Sequence, residues 1–198
     1  MTVATLCEEI EKDRPFYEQS HGGVTFSGGE VFSQDTKLLQ ELFIALCEKG
    51  IRINADTCGA VPYARIEPLL PYIDTFLYDI KLMDTKEHER WTGLGNEIIL
   101  SNLSKLSQAG KKIWLRLPII EGVNADHTFI KAVIEFVKLE KIQLERVNLL
   151  AYHNLGKDKY SRLNKEATEG LFEPQEELLL QMKTEIENAG IGPVWIGG

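Results

Sequence analysis

The residues best suited to chemistry begin with the run Gly22-Gly23-Val24-Thr25-Phe26-Ser27-Gly28-Gly29-Glu30. Two glycine pairs flank a short β-prone segment, and the second pair carries a carboxylate. Adjacent glycines reach positive φ and let a ligand approach the backbone with no Cβ in the way. Their N–H and C=O groups suit a small polar molecule, and Glu30 supplies a negative charge for an ammonium. A tight strand-to-helix turn with a solvated Glu has the same pattern, so this run alone is a weak signal.

Four further sets follow: Asp56-Thr57, Asp79 with Lys81, Arg116, and His153. Asp79 and Lys81 are two apart on a β-prone stretch and so share a face. Arg116 sits between apolar neighbours, where a guanidinium needs an anion. Asp56 taken alone reads as a turn cap before Pro62. His153 is the histidine best placed for function, whereas His21, His88 and His127 read as surface residues. Two chemistries fit these residues. One is a site for an amino-acid-like ligand, with Glu30 on its ammonium and Lys81 or Arg116 on its carboxylate. The other is an aldolase-like barrel in which Lys81 forms a Schiff base.

The elements that must position these groups alternate. Helices are expected over Thr5–Arg14 (ended or bent by Pro15), Asp35–Lys49, Pro62–Leu70, Glu97–Ala109, from Asp126 onward, and Pro174–Ala189. Asp84–Arg90 reads as one or two exposed helical turns. Strands are expected over Val24–Ser27, Ile51–Ala55, Thr75–Ile80, Ile113–Leu117 and Val147–Leu150, with Val194–Ile196 as a short last one. Parallel strands need such helical crossovers. Five or six βα units are too few for a closed eight-stranded barrel. The expected fold is an α/β open partial (β/α) barrel formed by residues 1–198 as one domain; a doubly wound sheet is the alternative. In either, ligands bind at the C-terminal strand ends, where all five polar sets fall.

Composition narrows the classes. A net charge of −8 opposes a nucleic-acid or anionic-membrane surface. No apolar run has transmembrane length and no signal-peptide pattern opens the chain, which points to the cytoplasm. Cys7, Cys47 and Cys58 are widely spaced, with no CxxC pairing. Cys7 and Cys47 are expected in the core, and Cys58 near a strand end.

The motifs in order resemble the glycyl-radical-enzyme activating enzymes, radical S-adenosylmethionine (SAM) proteins of which pyruvate formate-lyase activating enzyme is the best-known member. The resemblance runs from Asp13-Arg14-Pro15-Phe16-Tyr17 through the glycine run to Asp56-Thr57-Cys58-Gly59. It continues in Asp79-Ile80-Lys81-Leu82-Met83-Asp84, Trp114-Leu115-Arg116 and Leu150-Ala151-Tyr152-His153-Asn154-Leu155-Gly156-Lys157. It implies that Gly28, Gly29 and Glu30 hold the SAM amino group. Lys81 and Arg116 would lie near its carboxylate and sulfonium, and His153 near the ribose. Asp56, Thr57 and Asp79, with the backbone of Leu77, would surround a monovalent cation. The implied protein partners are a glycyl radical enzyme as substrate and an electron donor such as flavodoxin or ferredoxin. The implied reaction is reductive cleavage of SAM to install a glycyl radical.

Two departures accompany the resemblance. Val31 stands where the family usually has proline after Ser-Gly-Gly-Glu. More consequentially, the family binds a [4Fe–4S] cluster through a CxxxCxxC loop, and this sequence has no such motif. The chain therefore reads as the C-terminal portion of an activase, lacking the first βα unit and inactive alone. A cluster-less paralogue that binds SAM or a partner without chemistry is the alternative, and the Lys81 Schiff-base lyase ranks third.

Overall fold

The computed structural model describes residues 2–20, 22–152 and 171–197. Its helices are α1 (Val3–Glu11), α2 (Arg14–Ser20), α3 (Thr36–Glu48), α4 (Thr85–Thr92), α5 (Glu97–Gln108), α6 (His127–Leu139) and α7 (Glu176–Asn188). Its strands are β1 (Gly23–Phe26), β2 (Arg52–Thr57), β3 (Thr75–Asp79), β4 (Lys112–Ile119), β5 (Arg146–Ala151) and β6 (Val194–Ile196). The sheet order is β1-β2-β3-β4-β5-β6, and the pairs β1–β2, β2–β3 and β5–β6 are parallel. Sheet order and chain order coincide. A doubly wound sheet reverses its order at a switch point, and this one does not. The architecture is the open partial (β/α) barrel.

Local chemistry fixes the helix ends. Asp35, Asp84 and Asp126 are N-caps whose carboxylates accept from the N–H groups of Leu38, Glu87 and Phe129. The end of α4 is Gly93 in the left-handed region. Strand burial alternates: on β2, Ile53, Ala55 and Thr57 are buried, while Asn54 and Asp56 on the opposite face are half-buried. On β4 the buried set is Ile113, Leu115, Leu117 and Ile119, with Trp114 and Arg116 alternating between them.

The chain divides into two compact units, Met1–Asp79 with Glu97–Trp114, and Ile80–Asn96 with Leu115–Gly198. In the first, α3 buries Leu39, Leu42, Phe43 and Leu46, and Phe43 meets Phe26 of β1 at 4.8 Å between ring centroids. In the second, α6 packs on α7, burying Phe129, Ile130, Val133 and Val137 on one and Leu179, Met182 and Ile186 on the other.

Several expectations are corrected. The first helix stops at Glu11, and a second starts at Arg14, so Pro15 serves a new first turn rather than closing the old helix. Pro62–Leu70 forms 3-10 turns, Tyr63–Arg65 and Glu67–Tyr72. His88 is buried, with Nδ1 2.7 Å from the Leu94 carbonyl and 3.0 Å from Thr92 Oγ1. Those partners satisfy a polar ring that the charged composition of α4 had placed in solvent. Cys47 is exposed, because Leu39, Leu42, Phe43 and Leu46 already fill the buried arc of α3. Cys7 is buried as expected. His21 lies outside the described residues.

Candidate functional site

The loop after β1 delivers Ser27-Gly28-Gly29-Glu30. Gly28 and Gly29 adopt φ of 98° and 63°, so side chains there would be strained by the backbone alone. Yet a Cβ built on either meets no heavy atom within 4 Å. These glycines are thus required by backbone conformation and not by packing, and they leave the peptide groups open to approach. Glu30 then caps a 3-10 turn, Val31–Ser33, in which Val31 and Phe32 are buried. Arg65 ties that turn down: its Nε donates to the Phe32 carbonyl at 2.8 Å, and its guanidinium also donates to the carbonyls of Ser33 and Gln34.

The Glu30 carboxylate sits in a collar of donors from the loop after β2. Thr57 Oγ1 lies 2.7 and 2.8 Å from its two oxygens. The N–H groups of Cys58 and Gly59 each donate to Oε2 at 3.2 Å, and the Phe32 N–H donates to Oε1 at 3.2 Å. The Cys58 thiol, 3.4 Å from Oε2, is the weakest of these donors. All of these donors are neutral, three of them backbone N–H groups, which fixes a half-buried negative charge without cancelling it.

Thr57 belongs to this collar by its side chain. It is 2% exposed and its hydroxyl also accepts from the Gly59 N–H at 2.8 Å. Asp56 faces the other side of β2. It is paired with Leu77, so Asp79, two residues further along β3, lies on the same face of the first unit. The pairing thus sets two carboxylates on one sheet face.

Lys81 and Arg116 belong to the second unit and are half-buried. There the Arg116 carbonyl accepts from the Ile80 N–H at 3.0 Å. The Lys81 carbonyl accepts from Asn124 Nδ2 at 2.7 Å. His153 lies outside the described residues.

Sequence reasoning missed Asn102 and Tyr78, which support the collar from behind. Asn102 falls three residues after Ile99 and four before Leu106 on the buried stripe of α5. A lone amide on an apolar stripe was the available signal. Tyr78 is fully buried, its hydroxyl donates to the Ile99 carbonyl at 2.7 Å, and burial pushes its pKa well above the usual tyrosine range.

The cysteines do not fit an iron–sulfur cluster. Cys7 is buried on α1, Cys47 is exposed on α3, and Cys58 follows β2, and no three His, Cys, Asp or Glu side chains are grouped as metal ligands among the described residues. Among the same residues, no helix is long and apolar enough to cross a membrane.

Known proteins resemble this chain over most of its length. The chain is 44% identical over 185 residues to the trans-4-hydroxy-L-proline dehydratase activating enzyme of Clostridioides difficile, covering 92% of this chain and 61% of the relative. It is 37% identical over 164 residues to the choline trimethylamine-lyase activating enzyme of Oleidesulfovibrio alaskensis, covering 82% and 53%. The chain thus spans little more than half the length of these curated relatives. A solved domain of a pyruvate-formate lyase-activating enzyme from Bacteroides vulgatus superposes with a TM-score of 0.76 at 29% identity, covering 89% of this chain and 99% of that domain. No protein-family model matches the chain.

Proposed function

The chain is homologous over most of its length to the glycyl-radical-enzyme activating enzymes, and from that premise we propose that it binds SAM at the loop after β1 and supplies the SAM-binding part of such an activase. The observation that carries this reading is the Glu30 carboxylate, held by neutral donors beside two left-handed glycines whose peptide groups stand open. A fixed carboxylate next to free backbone carbonyls is what a primary ammonium needs.

In this reading Gly28, Gly29 and Glu30 bind the methionine ammonium, and the Cys58 thiol is the donor that the ammonium displaces. Lys81 and Arg116 balance the carboxylate and flank the sulfonium, and His153 meets the ribose. Asp56 and Asp79, with the Thr57 carbonyl and the Leu77 backbone, hold a monovalent cation beside the SAM carboxylate. When bound and reduced, SAM supplies the hydrogen-abstracting power that makes a glycyl radical on a large partner enzyme. In the complete activase the reducing electron comes from a flavodoxin or ferredoxin. We assign no electron-transfer step to this chain, because its three cysteines lie on separate elements. That same observation favours a second reading, a SAM- or partner-binding protein without catalysis.

Equilibrium dialysis with radiolabelled SAM tests the proposal. Saturable binding is expected, weakened at least about tenfold by Glu30→Gln, since a hydrogen bond to a charged group contributes about 1.5–3 kcal/mol. Binding that is absent, or indifferent to Glu30→Gln, overturns it. Anaerobic incubation with iron and sulfide is expected to yield no [4Fe–4S] electron paramagnetic signal after reduction. A stoichiometric signal would overturn the division of labour.

A further inference from the structure

The carboxylate collar draws on the loop after β2, residues 58–61, which lies beyond the strand ladder. Its N–H groups at Cys58 and Gly59 must nevertheless point at Glu30 within 3.2 Å. Two buried side chains of the same unit account for this. Asn102, 1% exposed, spends both Nδ2 protons on the loop, donating to the carbonyls of Gly59 and Val61 at 2.8 Å each. Tyr78 closes the loop from below. A Cβ built on Gly59 would lie 2.0 Å from Tyr78 Oη, and Gly59 already has φ of 69°. Gly59 is therefore held on both sides of its Cα, its carbonyl by Asn102 and its N–H by Glu30 and Thr57.

We infer that Asn102, backed by Tyr78, is a positioning residue for ligand binding: from α5 it fixes the backbone of Gly59, and through it the N–H groups that hold the charge meeting the ligand's ammonium. This rests on the reading of Glu30 as the ammonium's partner. Asn102 touches neither Glu30 nor the open face of the glycine loop. Its effect on affinity passes through the backbone of one residue, Gly59, and a double-mutant cycle with Glu30 measures that coupling.

The physical cost of losing Asn102 is specific. Asn102→Leu keeps the volume on the α5 stripe but leaves two buried carbonyls without donors. The loop relieves this by turning those carbonyls toward water, which rotates the Cys58 and Gly59 N–H groups off the carboxylate. Glu30 then loses donors and its fixed position, and a mobile carboxylate is a poorer partner for an ammonium.

Two measurements on the full chain test the inference. The first is amide hydrogen exchange without ligand. Asn102→Leu is expected to raise exchange at Cys58 and Gly59 by at least about tenfold over any change in the β2 and β3 ladders, since local opening follows the lost bonds. Uniform acceleration across the unit would mean a merely structural asparagine and would overturn the inference. The second is binding of SAM and of 5′-methylthioadenosine, which lacks the ammonium. Asn102→Leu is expected to weaken SAM about tenfold, to weaken methylthioadenosine much less, and to add little in a Glu30→Gln background. Equal weakening of both ligands, or full additivity with Glu30→Gln, overturns the inference and leaves the SAM reading standing. Saturable SAM binding that ignores Glu30→Gln overturns that reading, while the exchange measurement still decides how Asn102 acts on the loop. Should Asn102→Leu not fold, Thr57→Val removes a collar donor at constant shape, and Thr57→Ser should restore it. The same split between the two ligands is expected, and its absence overturns the positioning scheme.

Discussion

Asn102 in the first unit and Asn124 in the second are 1% and 2% exposed, and each spends both Nδ2 protons on carbonyls of the strands or the loops that follow them. Asn124 donates to Lys81 and Pro118 and accepts from the Ile120 N–H at 2.8 Å, so it is satisfied on both sides. A side-chain amide carries the same groups as a peptide bond. Placed beside a loop that has left the ladder, it stands in for a missing neighbouring strand. The difference lies in what each loop then presents. Behind Asn102, N–H groups converge on a carboxylate. Behind Asn124, it is the carbonyl of Lys81 that is pinned. One asparagine orients a charge through the backbone, and the other anchors the root of a charge.

The sharpest way to break this comparison is Gly59→Ala, which drives a methyl into Tyr78 and keeps a left-handed φ. It is expected to cost about 5 kcal/mol, from overpacking plus left-handed strain, read as the shift of a urea midpoint. A cost near that of an ordinary loop substitution would show that the loop moves freely and is not clamped. Next come the two asparagines. Asn124→Leu strands three backbone groups and Asn102→Leu two, so costs of about 4 and about 3 kcal/mol are expected. The reverse order would contradict the scheme of stand-in peptides. Gly28→Ala meets no clash and should cost only about 1–2 kcal/mol for its φ. A much larger loss would reveal packing at that face.

The smallest effect separates burial from hydrogen bonding at Tyr78. Its folded pKa is raised by burial, with the charges of Cys58 and Glu30 adding to the shift. A raised value means that the stability it contributes is present below the usual tyrosine pKa of about 10 and is lost as pH climbs beyond it. Tyr78→Phe should cost about 1 kcal/mol at neutral pH for the bond to Ile99, while flattening the alkaline decline. Parallel declines in both proteins between pH 9 and 11 would assign the alkaline loss to other groups.

Much of this was legible in the sequence because it is local. Asp35, Asp84 and Asp126 head helices, and Gly50 and Gly110 follow helix ends with φ of 70° and 68°, as their positions predict. The alternation of strands and helices sets the layers, and polar residues at strand ends mark the loops that matter. Most of what stayed hidden depends on partners far away in the chain. Asn102 reaches carbonyls 41 and 43 residues upstream, and Thr57 holds a carboxylate 27 residues before it. His88 is different: its partners, Thr92 and the Leu94 carbonyl, lie four and six residues on, but the charged composition of α4 masks them. Propensity and periodicity carry no information about such pairings.

The coincidence of sheet order with chain order also bears on how the protein is made. Each strand after the first needs only its immediate predecessor in sequence as a template. No strand must wait for a distant part of the chain, so the entropic cost of closing loops is paid in similar, modest steps. During synthesis each strand can dock on the one before it as successive βα units leave the ribosome. A pause between units would leave a strand edge ready for the next unit to pair.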